Sequence, residues 1–416
     1  MAIKKEIEKI IPKFVLRIYH YKLALLSAIF YGFPSGKLIV VGVTGTKGKS
    51  STVILAGKIL EETGAKVAWL TSATIKVADK EILNPYHMTM PGRFAVQKFL
   101  RQAVDVGCKY AILEVTSEGI KQYRHKFINF NTAVFTNLQP EHLEAHGSFE
   151  NYRYCKGLLF DVTKQNHVLN MDDQNVDYFL KFPAKNKIKY GINNTGDISA
   201  KNIREAREGI KFSVNDENFD LKLLGKFNVY NCLAAIGVAL SQGLDLKICK
   251  KALEKIDVIA GRMEVVQENP FKVIVDLAHT PDSYEEVFKA VKAMPHNKII
   301  TVFGSAGGGR DKWKRPVLGK IAAENSDVMI ITNEDPYDED PKQILSEIKS
   351  GIANNSSVFE ILDRREAIKK ALGLAGQNDI VLVLGKGTEQ LMFLPAGKIH
   401  WDDRDVVREE ISKLKK

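Results

Sequence analysis

Cysteine is scarce in this sequence. Only Cys108, Cys155, Cys232 and Cys249 occur, and no two of them form a CxxC pair. Zinc cages and disulfide frameworks are built from closely spaced cysteines, so the sequence favours neither of them. The pattern fits the reducing cytosol, and we expect a cytoplasmic protein.

A long apolar run is also missing. Within residues 1–36, the segment IIPKFVLRIYHYKLALLSAIFYGFP repeats apolar residues at helical spacing, but Lys13, Arg17, His20 and Lys22 interrupt it. No run reaches the roughly 18 apolar residues that cross a bilayer, and a secretory cleavage site is lacking. Two interpretations stay open: an amphipathic helical segment packed on the protein, or a contact with a membrane surface or a partner.

The sequence has neither a basic stripe interleaved with aromatic residues nor zinc-finger spacing, so we predict no nucleic acid partner. The formal net charge of +10 would suit an anionic partner, although solubility alone can explain it. With 416 residues, 45% of them apolar and 26% charged, the chain is typical of a globular protein of about two to three domains.

A candidate phosphate-binding loop is the most informative feature that is present. Residues 41–52, VGVTGTKGKSST, follow a β-branched run and lead into a helix-like run. In such a loop Lys49 would place a cation on the β and γ phosphate oxygens, and Ser50 could offer its hydroxyl to Mg²⁺. The candidate ATP-binding residues of the loop are Gly45, Thr46, Lys47, Gly48, Lys49, Ser50 and Ser51. We therefore predict that the chain binds a nucleoside triphosphate.

Strand-like and helix-like runs alternate along the rest of the chain, which predicts mainly parallel sheets covered by helices on both faces. The strand-like runs lie at residues 37–43, 66–70, 110–115, 132–135, 272–276, 298–303, 328–332 and 379–384. Shorter, more polar pieces at residues 191–224 could add a sheet at the end of the first domain. We predict an α/β protein: a P-loop parallel-sheet ATPase domain at residues 37–260, followed by a Rossmann-like α/β domain at residues 261–416.

The loop departs from the common GxxxxGK[ST] pattern, because Val43 stands six positions before Lys49. This TGTxGKxx variant resembles the loop of the Mur ligase and folylpolyglutamate synthetase superfamily. Residues 135–160, FTNLQPEHLEAHGSFENYRYCKGLLF, resemble the TNxxxDHLDxHGxxxxYxxAKxxLF signature of the Mur ligases, especially of the type that adds the third residue of the peptidoglycan stem. Asn137 in this segment is a further candidate ATP contact.

His142 and Lys156, fourteen residues apart in that segment, could by their chemistry serve a metal site. The resemblance implies that Lys156 is carbamylated, which would turn a cation into a carboxylate-like Mg²⁺ ligand. The alternative is an ordinary solvated lysine on a helix.

Residues 114–124, EVTSEGIKQYR, resemble the family's EVSSHGLxQxR segment. A carboxylate at the carboxyl end of a strand faces the ligand crevice of an α/β sheet, so Glu114 could bind the Mg²⁺ that bridges the phosphates. The resemblance also implies contacts with the acceptor substrate from Thr116, Gln122 and Arg124. Glu118 replaces the family's histidine, so recognition can differ here. Thr89, in MTMPGR, stands at the place of the family's TTP loop and is either a substrate contact or part of a surface turn.

The second half of the chain carries further segments of the same kind. GKFNVYNCLAA resembles GxFNxxNxLAA, and FGSAGGGRDKWKRP, GKGTEQ and WDDRDVVREE resemble GGxRDxxKRP, GKGHExxQ and FDDREVxxE. The resemblance implies nucleotide contacts from Asn231, Arg262, Asp276 and His279. It implies substrate contacts from Arg310, Gly385 and Glu389.

The loop NEDPYDEDP bears on which amino acid is added. In the family's DNPR loop the arginine holds the distal carboxylate of diaminopimelate, but here the loop reads Glu334, Asp335, Pro336 and Tyr337. An anionic loop without that arginine favours a side chain that ends in an amine, such as lysine. The alternative is a solvated acidic turn.

The resemblance implies an ATP-dependent ligase of peptidoglycan precursor synthesis. It would use two Mg²⁺ ions to activate the carboxylate of a UDP-N-acetylmuramoyl-peptide, or a related acceptor, as an acyl phosphate, and join it to an amino acid. The catalytic residues would be Lys49, Glu114, His142 and Lys156, and the metal ligands Ser50, Glu114, His142 and Lys156. Because the usual UDP-binding domain is not recognisable, we expect residues 1–36 to form a short helical segment in its place. A folylpolyglutamate-synthetase-like ligase and a non-catalytic ATP-binding subunit remain the alternatives.

Overall fold

The computed structural model describes residues 12–86, 88–141, 146–194, 196–206, 209–353 and 357–414. The described residues form two compact units. The first contains residues up to 200 together with 230–253, and the second contains residues 201–229 together with those from 254 onward. Among the residues described, every helix is too short or too polar to span a bilayer.

A mainly parallel sheet forms the first unit. Its strands are β1 (Ile39–Thr44), β2 (Val67–Leu70), β3 (Thr74–Val77), β4 (Lys80–Leu83), β5 (Tyr110–Glu114), β6 (Phe130–Phe135), β7 (Asn166–Asn170) and β8 (Asn186–Gly191). Their order is β8-β7-β6-β1-β5-β2-β3-β4, with β3 and β4 antiparallel to their neighbours. β1 is central and buried along almost its whole length, as its β-branched sequence IVVGVT predicts.

Helices cover this sheet. They are α1 (Lys13–Phe30), α2 (Lys49–Glu61), α3 (Arg93–Asp105), α4 (Ser117–Lys121), α5 (Phe149–Val162), α6 (Val176–Leu180), α7 (Phe227–Ser241) and α8 (Leu246–Leu253). α5 lies close against β1, because a Cβ atom on Gly42 would stand 2.9 Å from side-chain atoms of both Leu159 and Phe130. This close approach brings α5 beneath the loop that follows β1.

The strand β9 (Ile198–Ala206) leads from the first unit into the second, where β10 (Gly209–Val214) and β11 (Glu217–Leu221) form a hairpin. The strands predicted within residues 191–224 are therefore present. Residues 201–229 are grouped with the second unit, and the predicted placement of these strands at the end of the first domain stays a prediction. The domain limits 37–260 and 261–416 stay predictions.

The second unit contains another sheet, with strand order β12-β13-β17-β14-β15-β16. Its strands are β12 (Glu264–Gln267), β13 (Lys272–Asp276), β14 (Ile299–Phe303), β15 (Val328–Ile331), β16 (Val358–Glu360) and β17 (Ile380–Leu384). All pairs are parallel except β12 with β13. Around it lie α9 (Pro281–Lys292), α10 (Lys314–Asn325), α11 (Pro341–Lys349), α12 (Arg364–Leu374) and α13 (Asp403–Leu414), with a hairpin of β18 (Leu391–Leu394) and β19 (Gly397–His400). The predicted α/β fold class is confirmed.

Candidate active site

The loop between β1 and α2 has the geometry of a phosphate cradle. Gly48 caps the first turn of α2 with a φ of +77°, and a Cβ atom there would stand 2.3 Å from Oδ1 of Asn231 on α7. Only glycine fits both the left-handed backbone and this close contact. The amide of Asn231 thus lies directly against the loop.

Asn137 holds the loop through its backbone. The Thr46 N–H donates to the Asn137 carbonyl at 2.9 Å, and the Lys47 N–H donates to Asn137 Oδ1 at 2.9 Å. The neighbouring Thr136 hydroxyl donates to the Lys47 carbonyl at 2.7 Å. Asn137, predicted as an ATP contact, therefore positions the loop by bonding its peptide groups.

Lys49, Ser50 and Glu114 meet where β1 and β5 end, because the register places Glu114 opposite Val43. The Ser50 hydroxyl donates to Glu114 Oε2 at 2.6 Å, and Lys49 Nζ lies 3.9 Å from Glu114 Oε1. The Ser72 N–H also donates to Glu114 Oε2, at 2.9 Å, a contact that no sequence motif indicated. A hydroxyl and a buried carboxylate are hard oxygen donors, so this group fits a Mg²⁺ ion. The neighbouring Ser51 is buried in the first turn of α2.

Lys156 is buried in α5, so the alternative of a solvated helix lysine is wrong. Its Nζ donates to the Gly45 carbonyl at 2.7 Å and lies 4.5 Å from the centre of the Tyr152 ring. Burial and the charge of Lys49 hold the pKa of Lys156 well below its usual value, against the opposing effects of Glu141 and Glu114. Burial thus makes the charged form of this lysine less favourable than it is in water. His142, its predicted companion, lies outside the described residues.

The predicted acceptor residues surround α4. The Thr116 hydroxyl accepts the Gly119 N–H and caps this helix. Arg124 donates through Nη2 to Gln122 Oε1 at 2.8 Å and through Nη1 to the Met90 carbonyl. Gln122 and Arg124 are therefore adjacent, and their predicted contacts with the acceptor stay predictions. Thr89 lies half-buried in the connection between β4 and α3.

Arg93 joins this group, although no family motif indicated it. Its Nη2 donates to the Gln122 carbonyl and to His20 Nδ1 on α1. Burial lowers the pKa of Arg124, and the charge of the neighbouring Arg93 lowers it further. The hydrogen bonds of both guanidinium groups go to neutral acceptors within the described part of the chain. Two adjacent cations in such a setting would attract an acidic substrate. The only sequence signal was the arginine of MTMPGR.

In the second unit, Asp276 ends β13 and is fully engaged by the backbone. Its carboxylate accepts the Met263 N–H at 2.7 Å and the Ala278 N–H at 2.6 Å. Burial raises the pKa of Asp276, and the charge of Arg262 opposes this rise. His279 follows, with Nδ1 2.8 Å from the Leu277 carbonyl. The nucleotide contacts predicted for these three residues stay predictions.

Glu334 is the unusual member of the acidic loop. Its side chain is buried, and Oε2 finds no hydrogen-bond partner among the residues described. Burial raises the pKa of Glu334, while Lys314 and Lys386 oppose this rise. A Cβ atom on Gly385 would stand 2.6 Å from Oε2 of Glu334, so any larger residue at position 385 would clash with this carboxylate. Asp335, also buried, accepts a hydrogen bond from Lys386 Nζ at 2.9 Å. For Glu334 and Asp335 the alternative of a solvated turn is wrong.

The rest of the acidic loop has structural partners. Glu339 pairs with Arg315 at 3.0 Å and with Lys312 at 3.2 Å, and the Asp340 carboxylate accepts the Lys342 N–H at the start of α11. Asp338 is exposed. Of the five acidic side chains in the loop, Glu334 is the one left buried with an oxygen that no described residue bonds.

Tyr337 replaces the arginine of the DNPR pattern. Its ring stacks on Phe393, with centroids 5.1 Å apart and planes at 23°. Burial raises the pKa of Tyr337, and the charge of Asp335 raises it further. A hydrogen bond with Arg310 opposes this rise. Glu389 accepts a hydrogen bond from Lys386 Nζ at 2.8 Å. The predicted residues Arg310, Glu334, Asp335, Tyr337, Gly385 and Glu389 thus cluster around one loop.

Comparison with known proteins assigns the family. The Mur ligase middle domain matches residues 43–239, and the Mur ligase, glutamate ligase domain matches residues 261–387. A UDP-N-acetylmuramoyl-L-alanyl-D-glutamate–2,6-diaminopimelate ligase of Clostridium botulinum is 37% identical over 94% of this chain and 82% of its own length. The chain belongs to the Mur ligase family. A UDP-N-acetylmuramyl-tripeptide synthetase of Roseiflexus sp. is 35% identical over 97% of this Mur ligase and 85% of the relative.

Solved structures agree with this assignment. A diaminopimelate ligase of the same name as the Clostridium protein superposes with a TM-score of 0.63 at 31% identity, covering 91% of this chain and 79% of its own. A folylpolyglutamate synthase of Mycobacterium tuberculosis has a TM-score of 0.74, over 90% of this chain and 96% of its own, but only 15% identity, so that likeness shows the fold alone. The predicted family and ligase class are confirmed, and the residue assignments stay predictions.

Proposed function

We propose that this Mur ligase activates the carboxylate of UDP-N-acetylmuramoyl-L-alanyl-D-glutamate, or a closely related acceptor, with ATP and joins it to an amino acid. The observation that carries the proposal is the convergence of Lys49, Ser50, Glu114 and Lys156 on one loop of the first unit. A cation for the phosphates, hard oxygen donors for Mg²⁺ and a buried amine are brought together there. The names of the relatives supply the acceptor.

Two Mg²⁺ ions would neutralise phosphate charge in this reaction. Ser50 and Glu114 would hold one of them. For the second, we propose that Lys156 carries a carbamate: its neutral amine adds to CO₂, one proton leaves, and an anionic oxygen donor results. The lowered pKa of Lys156 supports this, because only the unprotonated amine can add CO₂. His142 is the predicted companion ligand.

The reaction runs in two stages. Lys49, at the start of α2, would stabilise the charge that shifts on the phosphates as the acceptor carboxylate attacks the γ-phosphorus atom and ADP leaves. The amine of the incoming amino acid then attacks the acyl phosphate, and phosphate leaves as the amide forms. Arg93 and Arg124, with Gln122, would hold the acidic acceptor.

The incoming amino acid is proposed to carry an amine at the end of its side chain, with lysine preferred over diaminopimelate. Glu334 is buried beside Gly385 with one oxygen unbonded by described residues, which suits a hydrogen-bonding ammonium group. Tyr337 cannot pair with a distal carboxylate as an arginine does. The relatives named as diaminopimelate ligases set the competing expectation.

We also propose that residues 37–260 act as the ATP-binding domain and residues 261–416 as the amino-acid-binding domain of a cytoplasmic enzyme. Residues 1–36 would contact a membrane or a partner. The folylpolyglutamate-type and non-catalytic alternatives are not favoured by the relatives that share 35–37% identity.

The decisive experiment incubates the protein with ATP, Mg²⁺, UDP-N-acetylmuramoyl-L-alanyl-D-glutamate and one amino acid at a time. We expect ADP release and a product heavier by one lysine residue. Lys49→Ala serves as the inactive control, since it should lose orders of magnitude in rate without unfolding. Parallel incubations contain a folate with glutamate, or ATP alone. Product from the folate, or no product from any acceptor, would contradict the proposal.

A further inference from the structure

Helix α1 is inverted relative to an ordinary surface helix. Its small residues Ala24, Ser27 and Ala28 are buried, while large apolar side chains point outward. The outward set, called here the α1 face, comprises Phe14, Val15, Ile18, Tyr19, Leu26, Ile29 and Phe30, which are 40–73% exposed. A protein whose surface meets only water normally buries its large apolar residues and exposes the small or polar ones. We therefore expect an apolar binding partner to cover the α1 face.

Aromatic side chains extend the α1 face beyond the helix. Phe94, at the start of α3, is 43% exposed, and its ring lies edge-on to Phe30 and Tyr31. Phe33, just past the end of α1, is 46% exposed. The result is a continuous apolar surface formed by two elements, larger than the scattered single residues of an ordinary surface.

The charged side chains of the segment that carries α1 have one sign. Between Glu8 and Glu61 the sequence contains no acidic residue. Arg17 and Lys22 are exposed on α1 itself, and Lys22 lies among the outward apolar side chains at helical spacing from Ile18 and Leu26. A lysine there can keep its stem in an apolar layer and its ammonium group at a polar boundary. The occupant must therefore combine an apolar interior with a negatively charged surface.

We propose that the α1 face docks the protein on an anionic membrane surface, with α1 lying in the plane of the interface. Amphipathic helices that bind membranes in this way combine aromatic and aliphatic side chains with Lys and Arg, and anionic headgroups attract the basic side chains. No described helix is suited to span the bilayer, so the contact is peripheral. The proposal does not depend on the ligase reaction.

Pairing with a second copy fits the α1 face less well. In an antiparallel pair of α1 helices about a two-fold axis, the middle of one helix meets the middle of the other. Lys13–Phe30 has its midpoint beside Lys22, so two lysines would meet within an apolar contact. Like charges there oppose association, whereas a layer of anionic lipid headgroups attracts both.

The docked surface would stand next to the predicted acceptor residues. His20 of α1 accepts a hydrogen bond from Arg93, which also donates to the Gln122 carbonyl. Tyr21 of α1 makes ring contacts with Tyr123, which lies between Gln122 and Arg124, and with Phe127. Docking through α1 would thus hold this side of the first unit close to the membrane.

The test is flotation of the full-length protein with vesicles of phosphatidylcholine, alone or mixed with phosphatidylglycerol. We expect the protein to float with the anionic vesicles and to be released by high salt. Lys22→Glu should lower the partition coefficient at least about fivefold. Ile18→Asn with Ile29→Asn should lower it at least about tenfold, because two apolar side chains no longer enter the lipid.

Matched controls lie on the second unit. Val258→Asn with Ile399→Asn removes two apolar side chains of similar exposure, 49% and 42%, and Lys320→Glu reverses an exposed lysine on α10. These variants should float like the native protein. Thermal unfolding of every variant shows whether the fold is kept.

Three results would overturn the proposal. One is equal flotation with neutral and anionic vesicles, and another is flotation that ignores the α1 substitutions. The third is a protein that does not float. It could then be a dimer that the double variant Ile18→Asn with Ile29→Asn dissociates, or a monomer whose α1 face is covered by its own residues 1–11. Light scattering without vesicles distinguishes those last two cases.

Discussion

Burial distinguishes the two lysines of the candidate active site. Lys49 lies in the loop and reaches the Thr46 carbonyl at 2.7 Å, close to where phosphates would bind. Lys156 is enclosed against the Gly45 carbonyl and the Tyr152 ring, and burial lowers its pKa. Burial disfavours the charged form of Lys156 relative to a solvated lysine, so the two lysines are suited to different roles.

Replacing Lys156 by alanine should lower the ligase rate at least about a hundredfold, because a metal ligand would be lost. Formate should restore part of the rate, since a small carboxylate can occupy the vacated position. Lys164→Ala, at an exposed lysine just beyond α5, is the control and should stay active. An active native enzyme that shows no carbamate carbon signal by NMR after incubation with ¹³C-labelled CO₂ would contradict the carbamate.

Tyr337→Arg should shift the preference from lysine toward diaminopimelate. In the native protein a distal carboxylate would approach Glu334 and Asp335, and like charges in a water-poor site cost a few kcal/mol. We expect kcat/KM to favour lysine at least about tenfold and the new arginine to reduce that ratio. Tyr337→Phe, which keeps the stack on Phe393, should leave the ratio unchanged. A ratio indifferent to Tyr337→Arg would place specificity elsewhere.

His125 should make the protein sensitive to acid. It is buried, neither ring nitrogen is bonded by a described residue, and burial lowers its pKa to about 3. The unfolded chain takes up this proton below about pH 6.5, whereas the folded chain does so only near pH 3, so stability falls as pH decreases between these values. The slope is up to about 1.4 kcal/mol per pH unit.

His125→Leu should remove that part of the slope, as measured by urea unfolding at pH 7.5, 6 and 5, conditions chosen to span roughly the upper part of the window. His296→Leu, in the second unit, is the control. If both variants and the native protein lose stability in parallel, the titrating group is not His125.

At the level of elements, one loop combines structural contacts with the residues proposed to select the amino acid. The end of β15 places Glu334 beside the end of β17, where Gly385 follows. Asp340, six residues after Glu334, caps α11. Acidic side chains a few positions apart in the sequence therefore have different surroundings. Their residue types alone do not predict this difference.

Asp340→Ala should lower the free energy of unfolding by about 1 kcal/mol, because α11 loses its N-terminal cap. The preference between lysine and diaminopimelate should not change. Asp338→Ala, at an exposed position of the same loop, should affect neither property. A changed preference in Asp340→Ala would mean that the cap also shapes the amino acid site.

At the level of the whole molecule, ligand binding and folding are linked. A ligand that binds only the folded state stabilises it by RT ln(1 + [L]/Kd), which is about 2.7 kcal/mol when the ligand is present at about a hundred times its Kd. ATP with Mg²⁺ should therefore raise the unfolding temperature of the native protein.

Lys49→Ala should lose most of this thermal shift while unfolding near the native temperature without ligand. Lys58→Ala, on the same helix but paired with Glu61 at the far end, should keep the full shift. Hydrogen exchange gives a second readout, since β1 and α2 should gain protection only where nucleotide binds. An undiminished shift in Lys49→Ala would remove this lysine from the nucleotide site.

The sequence by itself determined the elements and the loop. Strands such as β1, β5, β13 and β17 are short apolar runs buried on both faces, so their composition is enough to find them. The GKS turn and the carboxylate at residue 114 are local signals of the same kind. The antiparallel pair β3 and β4 was not predicted, because each strand has only four residues and β4 has no buried position.

Only the tertiary structure decided what each side chain meets. The contact of Lys156 with Gly45 joins residues 111 positions apart, and Ser72 reaches Glu114 from another connection of the sheet. The lack of a bonding partner for Glu334 Oε2 and the outward direction of the α1 face are likewise properties of packing. Local composition specifies the backbone elements because helices and strands are built from near neighbours. Burial and charge at a site depend on distant parts of the chain, so they appear only when the fold brings those parts together.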